Sequence, residues 1–423
     1  MVIRSVWGAC GVVAAIVPGV FADEPLFTGL GDLPGGIVQS FANGVSADGL
    51  TVVGTSASSN GLNEAFVWTD DDGLLGLGDL PGGVFWSEGA GVSADGSVVA
   101  GTGAVDGPCP PWGCLHLRAI VWTAADGFTI LGEPAAISAG ISGDGLVVVG
   151  RVDIDPGAAA AFRKDSDGPM TALGILPGGT FSDAYGVSRD GLVVVGKSHS
   201  GDGPQAFLWT EATGMVGLGD LQPAPYFSEA RAANADGSVI VGMGALVSFE
   251  EHEAFFWTEE DGMVGLGDLP GGLFRSAARA VSDDGTVIVG VGASDEGDRR
   301  AFIWTASSGM RDLADVLQTD LGLDITGWTL EVATGVSADG RTIVGSGVNP
   351  FGKKEAWLAY LGPAHCPADL DGDGVVGLGD LPTFVANLGV AAGALPEDGD
   401  LDGDGDVDLA DFALFAAGFG ACQ

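Results

Sequence analysis

The sequence predicts an all-β, seven-bladed β-propeller closed by an N-terminal strand, followed by a small acidic C-terminal module. Three observations carry this. A turn phrase close to Gly-Val-Ser-Ala-Asp-Gly occurs seven times, centred on Asp48, Asp95, Asp144, Asp190, Asp236, Asp284 and Asp339. Each turn leads into a Val/Ile run and then, in most copies, an aromatic run such as Ala65-Phe66-Val67-Trp68-Thr69 or Ala301-Phe302-Ile303-Trp304-Thr305. The residues beyond the seventh copy hold two twelve-residue acidic patterns and no Lys or Arg after 366.

The chain has 423 residues, 46% of them hydrophobic, so it has ample apolar material for a core. Its 74 glycines alongside Val, Phe and Trp runs indicate many turns and many strands. Only 16 Lys and Arg oppose 57 Asp and Glu, giving a net charge of −41. Nucleic acid and anionic lipid surfaces require clustered cations and are excluded as partners on that ground. Divalent cations are the charged partners such a chain suits.

Residues 1–22 read as a signal peptide: a basic start ending at Arg4, an apolar run from Ser5 to Val20, and Val20-Phe21-Ala22 before Asp23. A membrane anchor is the weaker reading, because the run is short and interrupted by Pro18. The processed chain is then expected to be secreted or surface-held and not membrane-spanning. Cys10 leaves with the leader, and the four remaining cysteines fall into Cys109 with Cys114 and Cys366 with Cys422.

Residues 23–362 form the repeat region. Each unit reads as four short strands over about 47 residues, the period of a propeller blade and too long for one β-helix coil. Small residues in the Ala-x-Gly-Val-Ser stretch place that strand innermost, where it crowds the axis. The fourth, outer strand is assigned to Leu74–Leu80 and Met263–Leu269, within the phrase Gly-Leu-Gly-Asp-Leu. The seventh unit lacks this phrase after Ala356-Trp357-Leu358, and a spare copy, Gly29 to Leu33, precedes the first turn. That N-terminal strand is expected to complete the last blade and leave no unpaired edge. The interval before Asp339 is the longest. Leu313, Val316, Leu317 and Leu321 near helical spacing predict a short inserted helix there.

The repeated Ala-Phe-x-Trp-Thr and Gly-Val-Ser-x-Asp-Gly phrases, over about residues 25 to 361, resemble the HAF-type extracellular repeat family of exported bacterial proteins. The resemblance implies export and says little about activity, since the family carries no established catalytic constellation.

Residues 363–423 are read as a calcium-binding domain. The first loop runs Asp369 to Asp380 and the second Asp400 to Asp411. Asp369, Asp371, Asp373 and Asp380 occupy positions 1, 3, 5 and 12 of the first loop; Asp400, Asp402, Asp404 and Asp411 do so in the second. Gly374 and Gly405 make the bend at position 6, and Val375 and Asp406 offer the position-7 carbonyl. This is the oxygen-rich loop that a hard cation with six to eight ligands requires, so two Ca²⁺ sites are expected. Asp408 adds a ligand at position 9 of the second loop, where the first has Gly377. Each loop leads into an apolar segment, Leu381 to Leu388 and Phe412 to Phe419, read as a helix. Paired loops each followed by one helix look like a type I dockerin. That resemblance implies a cohesin-like or surface-protein partner and carries over the ligand roles of the aspartates named. Cys366 and Cys422 bracketing the module suggest a disulfide clasp that the cellulosomal pattern does not need.

Catalytic motifs are absent from the sequence. His116, His199, His252 and His365 are scattered, and Glu250-Glu251-His252-Glu253 reads as a solvated loop sooner than a metal site. Asp32, Asp79, Asp220 and Asp268 recur in the exit phrase; a residue repeated in every blade usually serves a turn. The Cys109-Pro110-Pro111-Trp112-Gly113-Cys114 loop either holds Trp112 outward as a platform for a glycan or protein ligand or is a stapled loop with a partly buried Trp. Three functions follow. The first is a secreted non-catalytic propeller presenting binding loops and attached through its calcium module. The second is a dockerin-bearing polysaccharide-degrading enzyme, a glycoside hydrolase or lyase, which needs two carboxylates about 5 to 10 Å apart. The third is a structural envelope protein. Irregular acidic residues near the axis would favour the enzyme, and an evenly lined channel would favour binding or structure.

Overall fold

The Val runs and aromatic runs pair as antiparallel strands in a computed structural model, forming seven four-stranded sheets around one axis. The structure describes residues 24–61, 63–82, 84–106, 116–132, 135–155, 158–221, 227–248, 251–271, 274–293, 297–363, 370, 375–390, 399–401, 406–417 and 420–421. Residues 1–22, Cys109, Cys114, Cys366, Cys422 and Trp112 fall outside these residues, as do Asp369, Asp371, Asp373, Asp402 and Asp404. Blade 1 is Ser40–Val45, Val52–Ser56, Glu64–Thr69 and Gly73–Gly76, in that order from axis to rim. The innermost strands of blades 2 to 7 are Ser87–Val92, Ala136–Ile141, Ser182–Val187, Ser228–Ala233, Ala277–Val281 and Thr329–Val336.

The spacing of Gly and Phe in each unit has a packing cause. A Cβ on Gly54 would sit 2.0 Å from the Phe41 carbonyl oxygen and 2.9 Å from the Phe66 ring, so the ring lies flat against bare backbone. Phe66 is fully buried as a result. In blade 7 a larger ring takes this place, Trp357 against Gly345. Phe66 and Trp68 pack on Val344, Ala356 and Leu358 of the adjoining blade, which is why the strands are apolar on both faces.

The ring closes twice. Leu26–Gly31 lies antiparallel to Lys354–Tyr360, with Leu26 opposite Tyr360 and Gly29 opposite Trp357, and so supplies the strand that the seventh unit lacks. Nearer the axis, the turn segments are tied blade to blade by backbone hydrogen bonds. Ala47 N–H donates to Ala94 O, Ala94 to Gly143 O, Gly143 to Arg189 O, Asp190 to Ala235 O, Ala235 to Asp283 O and Asp283 to Ala338 O. The Ala338 N–H donates to Ala47 O at 3.0 Å and completes the circle.

One local assignment is corrected, and the expected short inserted helix is present with a mixed geometry. The exit phrase is largely loop: the outer strands are Gly73–Gly76 in blade 1 and Gly262–Gly265 in blade 5, whereas Gly214–Gly219 in blade 4 and the closing strand Leu26–Gly31 run through the first three residues of the phrase. Gly78 and Gly267 take φ of +83°, which a pleated strand does not tolerate, and Asp79 and Asp268 then gather loop N–H groups. The inserted helix is a three-residue α-turn, Leu313–Asp315, continuing as a π-turn, Val316–Asp320. The wider turn keeps Leu313 and Leu317 both buried beside Trp357 and Leu330.

The two halves of the tail repeat the same local bonds, Asp380 to Leu370 and Gly377, and Asp411 to Leu401 and Asp408. Helices Leu381–Asn387 and Leu409–Ala417 follow the two loops. The second starts earlier than its apolar run suggested, because the Asp408 carboxylate accepts the Ala410 N–H at 2.6 Å as an N-cap. Val376, Phe384, Val407 and Phe415 make the core, with the two Phe rings stacked at 5.3 Å. The halves are cross-linked: Val407 pairs with Gly389 and Val390 after the first helix, and Val376 pairs with Gly420 after the second.

The repeated Asp-Gly turns are Asx turns. Ser93 Oγ donates to Asp95 Oδ1 at 2.7 Å, the Ser97 N–H donates to the same oxygen at 3.0 Å, and Gly96 takes φ +73°. Hydrogen bonds from the Ser97 and Ser93 hydroxyls hold the Asp95 carboxyl down at about 2. Such a group stabilises the fold fully above its unfolded value near 3.8 and loses that contribution as pH falls toward 2. Asp95→Asn is therefore expected to destabilise the propeller at pH 7, and the gap from the parent should close between pH 4 and 2. Urea unfolding across that range measures it; a gap independent of pH would refute the assignment.

Candidate functional site

Every innermost strand carries a β-bulge at the same height, seen as a register shift between Ala42 and Gly44, Ala184 and Gly186, Ala278 and Ala280, and their equivalents. The extra residue is Asn43, Ala90, Ala139, Tyr185, Arg231, Arg279 or Thr334 in blades 1 to 7. A bulge re-aims its side chain and sharpens the local twist. Here it serves the axis: Asn43 Nδ2 donates to Gly89 O of the next blade at 2.7 Å, and Thr334 Oγ1 donates to Ala42 O at 2.8 Å.

The two ends of the axis differ. At the Asp-Gly turns, Arg189 Nε meets Asp283 Oδ1 at 2.6 Å, an ion pair between blades 4 and 6 across the narrow mouth. At the opposite end, where the exit loops enter the innermost strands, a cavity of about 290 Å³ is lined by Gln39, Phe41, Asn43, Asn63, Thr334 and Ser346, with Glu88, Arg279 and Arg299.

The axis is not evenly lined. Blades 3 to 6 carry a run of charges that blades 1 and 7 replace with amides, hydroxyls and apolar groups. Arg151 lies 3.6 Å from Asp183, Lys197 lies 3.2 Å from Glu229, and Arg231 also bonds Glu229. Tyr185 sits under both cations, 4.4 Å from the Arg231 guanidinium and 5.6 Å from the Lys197 ammonium. Burial opposes ionisation of Glu229, yet Arg231 and Lys197 hold its carboxyl below the usual range. Burial opposes the charge on Lys197 too, yet Tyr185 and then Glu229 hold it above its ordinary value. Burial raises Asp183 in spite of Arg151, and it raises Glu88.

The run ends on an unneutralised cation. No carboxylate among the described residues ion-pairs with Arg279 or Arg299, and Arg279 Nε is buried without a hydrogen-bond partner there. Burial, and then repulsion from Arg231 and Arg299, bring the Arg279 guanidinium down to about 10, with Glu229 pulling the other way. It stays charged at neutral pH.

The sequence-predicted residues divide. Asp79 Oδ2 accepts the Trp86 N–H at 2.9 Å, and Asp268 accepts the Leu269 and Arg275 N–H groups at 2.8 and 2.6 Å. Asp220 does the same for Leu221 and Phe227. These aspartates shape exit loops, and burial pushes Asp32, Asp79 and Asp220 above the usual carboxyl range. His199 packs on Phe181 with ring centroids 4.0 Å apart and the planes tilted by 46°, and Glu253 accepts the Gly267 N–H at 2.9 Å. Sequence reasoning passed over Glu88, Tyr185, Lys197, Arg231 and Arg279. Their signal was available as charged or aromatic departures at fixed positions in and beside the small-residue innermost strand.

In the tail, ligand oxygens of Asp406, Asp408 and Asp411 lie within 4.8 Å of one another. Both oxygens of the buried Asp411 accept backbone N–H groups, from Leu401 and Asp408, each at 2.7 Å. Asp380 repeats this with Leu370 and Gly377 at 2.6 Å. Three converging carboxylates with an all-oxygen donor set fit a hard metal ion. Asp400 lies at the start of the second loop and is also buried.

No protein-family model matches the chain, and no curated protein sequence matches it. Solved structures do share its architecture at low identity. TolB from Acinetobacter baumannii is 12% identical with a TM-score of 0.43, covering 66% of this chain and 64% of its own. The β-propeller domain of the Trilobed protease from Pyrococcus furiosus is 11% identical with a TM-score of 0.47, covering 80% and 94%. Porphyromonas gingivalis dipeptidyl peptidase 4 is 10% identical with a TM-score of 0.41, covering 75% and 51%. This chain thus spans under two thirds of that TolB's length. No described helix is long and apolar enough to cross a membrane.

Proposed function

We propose that the protein is a secreted, non-catalytic propeller scaffold that binds a ligand at the open end of its axis. Attachment to a cell surface or extracellular complex falls to the C-terminal module, held in shape by two Ca²⁺ ions. The carrying observation is the cavity lined by Glu88, Arg279 and Arg299. Glu88 is the one carboxylate among its described lining residues. Asp183 and Glu229, on the innermost strands of blades 4 and 5, are engaged with Arg151, Lys197 and Arg231. Hydrolysis of a glycosidic bond needs a second carboxylate about 5 to 10 Å from the first.

The enzyme reading has one observation in its favour: burial raises Glu88, as suits a general acid facing a cavity. Attachment is supported by the tail's two repeated loops, whose ligand set would be Asp369, Asp371, Asp373, Val375 O and Asp380, and Asp400, Asp402, Asp404, Asp406, Asp408 and Asp411. The full chain, added with calcium to a surface extract of the producing cells, should be retained and then released by a chelator. Retention unaffected by chelator would remove the attachment role, and turnover of a glycan by the full chain would remove the non-catalytic one.

A further inference from the structure

We infer that the axial cavity recognises an acidic sugar, with its carboxylate seated on Arg279 and Arg299 and its ring against Phe41. This rests on the proposed binding role and names the ligand class. In a chain of net charge −41, two guanidiniums without a carboxylate partner among the described residues open onto one small cavity. Arg151, Lys197 and Arg231 are taken up by Asp183 and Glu229, so the uncompensated positive charge of the run falls at Arg279. Arg279 Nε is enclosed with no protein acceptor among the described residues, so no carboxylate or carbonyl of the fold takes up this guanidinium there.

The rest of the lining decides among anions. Gln39, Asn63 and Ser346 offer donors and acceptors suited to hydroxyl groups, Asn43 and Thr334, whose donors are spent on Gly89 O and Ala42 O, offer acceptor oxygens, and Phe41 offers an apolar face. Such a lining suits a polyhydroxylated ring bearing one carboxylate. A bare phosphate would leave the amides and hydroxyls unused, and a metal ion would be repelled by the arginines. A volume of about 290 Å³ lies at the small end of ligand sites, which suits a short saccharide end and not a long internal segment.

The experiment is calorimetric titration of the full chain at low salt with galacturonate, glucuronate and mannuronate disaccharides, their neutral methyl esters, and inorganic phosphate. At least one uronate should bind while its ester binds about tenfold or more weakly, and phosphate should not compete. Arg279→Gln and, at an exposed position that leaves the core untouched, Arg299→Gln should each cost about tenfold. Esters bound as well as acids, with both variants unaffected, would overturn acid recognition and leave the binding role standing. Equal competition by phosphate would overturn the sugar assignment, as would silence with every uronate. Cleavage of a bound uronate would instead refute the non-catalytic reading while upholding recognition.

Discussion

A chain beginning at Leu33, and so lacking the closing strand, is expected to lose most of its propeller stability and to aggregate. The strand buries Leu30 in the core shared by blades 1 and 7, and it lays Phe27 edge-on against Trp328 at 5.2 Å and beside Trp357 at 6.2 Å. Burying two such side chains contributes about 1.5 to 3 kcal/mol each. The ladder with Lys354–Tyr360 goes too, as do the bonds from Gly31 N–H to Glu355 and from Ser40 Oγ to Gly31 O. The loss approaches the total of about 5 to 15 kcal/mol that holds a typical domain together. What remains exposed is the edge of Glu355-Ala356-Trp357-Leu358-Ala359-Tyr360, an apolar strand ready to pair with another copy. The Ala338-to-Ala47 bond and the facing side chains keep blades 1 and 7 adjacent, so the expected product is an opened ring that self-associates and not a coil. Thermal melting with light scattering measures this. Adding a peptide of residues 24–33 in trans should restore part of the melting temperature and suppress scattering. A truncated chain that melts like the parent and stays monomeric would show that the inner ring of turn bonds alone closes the propeller.

The scaffold was readable because its signals are local and repeated. Asp-Gly fixes a turn through one carboxylate and one left-handed Gly, and Gly54 with Phe66 fixes strand packing through a contact between neighbours in one sheet. Repetition seven times averages away the exceptions, such as Arg163 where other blades carry an apolar residue. Closure was readable for the same reason, as one phrase missing at one end and spare at the other. The axial site was not, and the cause is geometric. Arg279 and Tyr185 become neighbours of a cavity or a cation pair only through a bulge, and a bulge is a property of two strands in register, invisible in either alone. The exit phrase misled because Gly-Leu-Gly-Asp-Leu alternates like a strand; positive φ at Gly78 and Gly267 and the N–H bonds to Asp79 and Asp268 turn it into a loop.

Calcium removal, or Asp411→Ala, is expected to unfold both halves of the tail together while the propeller keeps its cooperative transition. Asp411 is fully buried and ties positions 2 and 9 of its loop through Leu401 and Asp408, besides belonging to the aspartate triad. Without a cation, the Asp406, Asp408 and Asp411 carboxylates repel at close range, and an alanine at 411 removes the acceptor of two part-buried N–H groups, at about 0.5 to 1.5 kcal/mol each. Each Ca²⁺ at a hundredfold excess over its dissociation constant adds about 2.7 kcal/mol, a large share for so small a core. Among the described residues that core is four buried side chains, Val376, Phe384, Val407 and Phe415, with Leu370, Leu381 and Leu401 packed against it, a small core to hold the module unaided. Failure then spreads, because Val407 of the second loop is paired with Gly389 and Val390 of the first half, and Val376 with Gly420 of the second. Hydrogen exchange on the full chain is the discriminating measurement: chelator should strip protection from Val376, Val390 and Val407 in one step and leave Val53, Val195 and Val344 protected. Loss confined to the second loop would mean two independent halves, and unchanged protection throughout would remove calcium from the description of this module.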